Sequence, residues 1–243
     1  MHYIIYDFFG LNKAIFTFIN NITNVSVLPN ILKGISEFFF IGNFPVYYFV
    51  LCLYCWWRLK KERHPEQSEG SRALLLSSKE KSGSLRSQEL AQDDGYAPFF
   101  PTYNELVKVG MCYALFGFTY AALKFGINLP RPFCSLPHLD FITILDTTHE
   151  RCLSSFPSAH TGLSIIVAYY LWPILKNYQK IIAVLAVALV AISRVTLAMH
   201  YPADILYSIF IAFILIFVSN RLFEFLRPKL INPIGRTIFK LLF

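Results

Sequence analysis

The amino-acid sequence predicts an all-α fold: a polytopic membrane helix bundle of six transmembrane helices, with five as the alternative. Three observations carry this reading. Of the 243 residues, 55% are hydrophobic and only 15% are charged, where soluble domains carry roughly 25% charged residues. Mean hydropathy is +0.48. Four segments, roughly 104–125, 158–175, 179–198 and 204–225, reach the ~20 apolar residues needed to cross a bilayer. The 24 Phe and 14 Tyr suit an apolar core and a membrane interface.

Taken in order, residues 3–19 are apolar but interrupted by Asp7, Asn12 and Lys13, which suits a helix lying along the interface. The N-terminal 20 residues lack a basic leader and a small-residue cleavage site, so a cleaved signal peptide is not expected. Residues 26–41 form a span or a re-entrant helix, broken from the next by Gly42, Asn43 and Pro45. The stretch 44–58 is short and very apolar. Residues 62–95 are rich in Ser, Glu, Gln, Lys and Gly. They cannot bury enough surface to fold alone, and a disordered cytoplasmic loop is expected there. The four long apolar segments follow, within a catalytic core expected at 100–225 of a single domain spanning 1–243.

Loop charges set an orientation. Arg58, Lys60, Lys61 and Arg63 follow one span, Lys176 and Lys180 lie in a short turn, and Arg221, Arg227, Lys229, Arg236 and Lys240 follow the last span. Under simple alternation these fall on one side, which the positive-inside rule makes cytoplasmic. The formal charge of +7 therefore reads as attraction to anionic membrane lipids. Without a basic stripe carrying interleaved aromatics, nucleic-acid binding is not expected. The five cysteines lack zinc-type spacing. Cys52 and Cys55 sit in an apolar segment. Cys134 and Cys152 bracket one polar loop, and would form a disulfide in an oxidising compartment or remain two thiols.

Three clusters place charge where a membrane normally excludes it, at about 2.5–3.5 kcal/mol per group on insertion scales. The first is Lys124, then Arg131-Pro132. An Arg fork binds two phosphate oxygens, and Lys acts as a point charge; alone, the pair also reads as two snorkelling interface cations. The second is Pro157-Ser158-Ala159-His160. It opens a helix whose free N–H groups face any nearby anion, or else caps that helix with a serine beside an interfacial histidine. The third is Ser193-Arg194, then His200, then Asp204. Spacing of four lets Asp204 meet His200, fix its tautomer and leave the other ring nitrogen free to attack. A merely structural pair at a helix start is the plainer reading. All three clusters fall on the external side under the proposed alternation.

In order, Lys-x6-Arg-Pro, Pro-Ser-Ala-His and Ser-Arg-x5-His-x3-Asp resemble the three-part signature of the type-2 phosphatidic acid phosphatase superfamily. The spans around them are similar to its membrane lipid phosphatases, over roughly residues 100–225. Ala159 stands where that family usually has Gly; its backbone N–H survives the change. The resemblance implies a metal-independent mechanism through a phosphohistidine, with no cofactor. His200 is then the nucleophile and Asp204 its orienting partner. His160 protonates the leaving oxygen and later activates water. Lys124, Arg131, Arg194, Ser158 and the Ala159 N–H hold the phosphoryl oxygens.

The expected function is hydrolysis of a lipid phosphate at the external face of a bacterial-type plasma membrane. The sequence leaves open a polyprenyl diphosphate, phosphatidic acid, phosphatidylglycerol phosphate or a lipid A phosphate. Two alternatives stand beside it: a lipid phosphotransferase using the same phosphohistidine, and a non-catalytic transporter or lipid-binding protein. The superfamily's soluble vanadate-dependent peroxidases do not fit the spans. The loop 133–156, with Pro137, His138, Asp140, Asp146, His149, Glu150 and Arg151, is expected to overhang the site.

Overall fold

The structure, a computed structural model, describes residues 6–7, 10–63 and 99–242. Most of the loop expected to be disordered, 62–95, lies outside the described residues. The described residues are helical as expected, with an isolated bridge between Pro130 and Leu153 rather than strands. In chain order the helices are α1 (Leu11–Thr23), α2 (Leu28–Phe38), α3 (Phe44–Arg63), α4 (Phe99–Ile127), α5 (Ala159–Leu171), α6 (Asn177–Thr196), α7 (Pro202–Leu226) and α8 (Asn232–Leu242). A single helical turn, Pro132–Ser135, lies between α4 and α5, and a π-helical stretch, Arg227–Ile231, joins α7 to α8.

Two compact units emerge. The first comprises Met1–Phe44 and Met111–Arg221; the second comprises Pro45–Gly110 and Leu222–Phe243. In the first unit α6 packs against α1, α2 and α5. In the second, Tyr48 Oη donates to the Leu106 carbonyl at 2.8 Å, and Tyr103 Oη donates to the Ile231 carbonyl at 3.2 Å.

Pro202 opens α7, as its sequence position predicts. The N-terminal pair α1–α2 is bent by 112°, with Ser26 in the left-handed region at φ 52°. This agrees with a re-entrant arrangement for 26–41 better than with a separate span.

The expected six spans are not confirmed as a count. Among the described residues, three helical stretches are long and apolar enough to cross a bilayer: Pro101–Ile127, Asn177–Thr196 and Pro202–Leu241. The α1–α2 pair makes a fourth if it is one broken span. The expected 158–175 span contracts to 13 residues of α-helix in α5. At 1.5 Å per residue that is about 20 Å, short of the ~30 Å hydrocarbon core. Its first turns are enclosed by protein, with Ala159, Thr161, Gly162, Leu163, Ser164, Ile165 and Ile166 all buried. In α3 the apolar run stops at Trp57, before Arg58. The outward faces of α6 and α7 remain apolar, with Ile181, Leu185, Phe210, Phe213 and Phe217 exposed, as an integral membrane protein requires.

The apolar core of the first unit sits around the α6–α7 connection. Val195, Leu197, Ala198, Met199 and Tyr201 are buried together with Phe16, Phe133 and Phe141. Such packing fixes the connection, because protein interiors are close-packed and resist displacement.

Candidate functional site

The α6–α7 connection builds the centre of the site. Helix α6 ends in a Schellman motif: the Met199 N–H reaches the Arg194 carbonyl at 3.0 Å, and the Ala198 N–H reaches the Val195 carbonyl at 3.0 Å. The left-handed residue of that motif is Ala198, at φ 54°, where glycine is usual. The His200 N–H also donates to the Arg194 carbonyl, at 3.2 Å. The turn thereby folds His200 back beside Arg194.

His200 is 1% exposed and Asp204 is fully buried. His200 Nδ1 stands 3.5 Å from Asp204 Oδ2 and has no hydrogen-bond partner. The Ser155 carbonyl faces the same ring. Asp204 is instead engaged by three other donors. Tyr6 Oη donates to Oδ1 at 2.6 Å, Ser155 Oγ to Oδ2 at 2.5 Å, and the Tyr201 N–H to Oδ2 at 2.9 Å.

The three cations gather around this pair. Lys124, in the last turn of α4, donates to the Ser154 carbonyl at 2.8 Å. It lies within electrostatic range of Arg131, Arg194, Asp204 and Glu150. Arg131 pairs with Glu150 at 2.6 Å. Arg194 donates to Ser36 Oγ at 2.6 Å. The Nε atoms of Arg131 and Arg194 are both buried without a hydrogen-bond partner. Buried polar atoms are nearly always paired, so these unpaired donors mark a place suited to an anion.

The second cluster opens α5. Ser158 is the N-cap residue, but its side chain makes no capping bond. Its hydroxyl instead meets Thr161 Oγ1 at 3.0 Å, and its carbonyl accepts from Ser208 Oγ at 3.0 Å. Pro157 does not begin the helix: it follows a cis peptide from Phe156 and precedes the cap. Ala159 is the first helical residue and is buried. His160 is half-buried, with its ring 6.0 Å from that of Phe40. Arg194, His200, Lys124 and Arg131 all act electrostatically on it. Gly162 allows this placement, because a Cβ there would overlap the Tyr120 hydroxyl. That hydroxyl donates to the Ser208 carbonyl at 3.1 Å.

All eight residues singled out from the sequence lie in the first unit. The loop that follows Arg131 is tied by a disulfide between Cys134 and Cys152, with a Cα–Cα distance of 5.7 Å. From this loop Glu150 is the side chain that reaches the cations, whereas Asp140 pairs outward with Lys13 at 2.9 Å. Tyr6, Ser36 and Ser155 are partners that sequence reasoning missed. Ser155 had a signal, being a hydroxyl three positions before Ser158. Tyr6 and Ser36 had none, since 198 and 158 positions separate them from their partners.

The fold and the site together define a class of protein: a membrane helix bundle with a buried cluster of cations and imidazoles at its helix ends. A family model described as the PAP2 superfamily matches residues 105–228, just over half of the chain. The chain belongs to the PAP2 superfamily. The crystal structure of Aquifex aeolicus LpxE is similar in fold, with a TM-score of 0.58 at 17% identity. The match covers 87% of this chain and 95% of that one. No curated protein matches the sequence.

Proposed function

We propose that the protein is an integral-membrane lipid phosphatase working through a phosphohistidine. The observation that carries this is the convergence of Lys124, Arg131 and Arg194 on a neighbourhood shared with His160, His200 and Asp204. A phosphate dianion complements those cations, which otherwise repel one another in a poorly solvated place.

In the first half-reaction a His200 ring nitrogen forms a bond to phosphorus and the phosphorus–oxygen bond to the lipid breaks. His160 gives its proton to the leaving oxygen. Lys124, Arg131, Arg194, the Ser158 hydroxyl and the Ala159 N–H hold the phosphoryl oxygens as charge develops. The imidazolium formed at His200 faces the Asp204 carboxylate. In the second half-reaction His160 takes a proton from water, the water oxygen bonds to phosphorus, and the nitrogen–phosphorus bond breaks. Inorganic phosphate leaves and His200 is restored.

In this reading the site lies on the external side of the membrane. Loop charges support this, as does the disulfide beside Arg131, since disulfides persist in oxidising compartments. The substrate is a polyprenyl diphosphate, phosphatidic acid, phosphatidylglycerol phosphate or a lipid A phosphate.

The test is phosphate release from a panel of these four lipids by the detergent-purified full chain. Turnover is expected to persist in excess chelator, and His200→Ala and His160→Ala are expected to abolish it while inserting normally. Normal turnover by His200→Ala sinks the mechanism. Transfer of the phosphoryl group to an added alcohol, without free phosphate, would make the protein a phosphotransferase.

A further inference from the structure

Asp204 is held from three directions. An ionised carboxylate offers about four lone-pair positions. Ser155 Oγ and the Tyr201 N–H both donate to Oδ2, while Tyr6 Oη donates to Oδ1. Because Oδ2 already serves two donors, His200 Nδ1 stands off at 3.5 Å. The carboxylate's position is thus set by its other donors before His200 engages it.

Tyr6 lies outside residues 105–228, which carry the family match, yet it bonds to Asp204 and packs on residues that flank the second and third clusters. Its ring stands edge-on to Phe156 at 6.4 Å, beside the Pro157–His160 segment. It stands edge-on to Tyr201 at 6.4 Å as well, beside His200. Behind it, α1 grips the same connection: Asn12 Oδ1 accepts from the Ala203 N–H at 3.0 Å, and Phe16 packs on Tyr201 at 5.4 Å.

We propose that Tyr6 is a positioning residue: its hydroxyl fixes the Asp204 carboxylate and, through it, the orientation and charge balance of His200 during phosphoryl transfer. This rests on the reading of His200 as nucleophile. When the His200 nitrogen bonds to phosphorus, the ring gains positive charge and its Nδ1–H turns to the carboxylate. A fixed anion stabilises that charge without reorganising, and a loose one does not. Tyr6 bonds to Asp204 and packs on Phe156 and Tyr201, so its hydroxyl acts on the chemical step rather than on phosphate binding.

The experiment uses detergent-purified full chain, with a lipid phosphate that the wild type turns over. Tyr6→Phe is made alone and on Asp204→Asn. Tyr6→Phe is expected to lower kcat about tenfold or more while KM stays within about twofold. On the Asp204→Asn background the same change is expected to alter the residual kcat by less than about twofold, because the group it acts through is gone. Unchanged kcat in Tyr6→Phe overturns the proposal, as does an equal loss on both backgrounds. A Tyr6→Phe protein that does not fold makes the hydroxyl structural and overturns it equally. Wild-type protein that releases no phosphate from any of the four lipids overturns the phosphatase reading itself. An active wild type with an indifferent Tyr6→Phe overturns only the role of Tyr6.

Discussion

Glu150 carries its carboxylate to within 2.6 Å of the Arg131 guanidinium. It therefore occupies one of the cations assigned to phosphate. The two ends differ in setting: the Arg131 side chain is 10% exposed and that of Glu150 is 40% exposed. Solvent weakens such a pair to about 1 kcal/mol or less, so on the proposed chemistry a phosphate dianion would displace it. Glu150→Gln removes the competitor. Its KM for lipid phosphate is expected to fall about two- to fivefold, with kcat little changed. Initial-rate kinetics check this, and a raised KM would make Glu150 a structural support of Arg131.

Ser36 and Arg194 make the equivalent pair on the other side. Arg194 is 6% exposed, and its guanidinium donates to Ser36 Oγ at 2.6 Å. A hydrogen bond to a buried charge is worth about 1.5–3 kcal/mol. Ser36→Ala frees the guanidinium to swing. The expected result is KM raised about tenfold, with insertion into membranes unaffected. An unchanged KM would show that α6 alone orients Arg194.

Ala198 tests the geometry of the turn. In the left-handed region an L-residue is strained by about 1–2 kcal/mol, and a β-branched residue fits worst. Ala198→Val is expected to lower activity at least about tenfold by moving His200, while Ala198→Gly keeps near wild-type kcat. Phosphate release and thermal unfolding, measured together, separate a displaced His200 from global loss of fold.

The acid limb of the pH profile follows from His200, which lies in the connection outside the spanning helices. Burial holds its imidazole well below the ordinary range, and Arg194, Lys124 and Arg131 push the same way. Asp204 from α7, His160 from α5 and the Ser155 carbonyl complete its surroundings. A lowered value means that the neutral, attacking form persists as pH falls. The acidic limb of kcat/KM is expected below the free imidazole value of about 6.5. A limb at or above that value would place another group in control.

Much of this was legible in the sequence, and the reasons differ by element. Pro202 marked the start of α7, because proline fixes its own φ and its missing N–H costs nothing at a first helical turn. Lys124, Arg131, Arg194, His160, His200 and Asp204 stood out because charge inside apolar segments requires a reason. The length of α5 was not legible: residues 172–175 are apolar enough to continue a helix, yet Pro173 lies in a 3₁₀ turn that ends it. Tyr6 and Ser36 were invisible for another reason. A tyrosine or serine in an apolar stretch has no local signature, and only tertiary folding shows which charge it meets.

The bent α1–α2 pair also determines when the site comes into being. Tyr6 meets Asp204 across 198 positions, Asn12 meets Ala203 across 191, and Ser36 meets Arg194 across 158. Contacts of such high order form late, since the entropy of closing a long loop must be overcome before they form. Helices α6 and α7 can complete their own hydrogen bonds locally and early. A chain at that stage holds both histidines and all three cations, but Asp204 still lacks its Tyr6 donor and Arg194 its Ser36 acceptor. On the proposed chemistry the site is therefore complete only once the N-terminal segment has docked on α6 and α7.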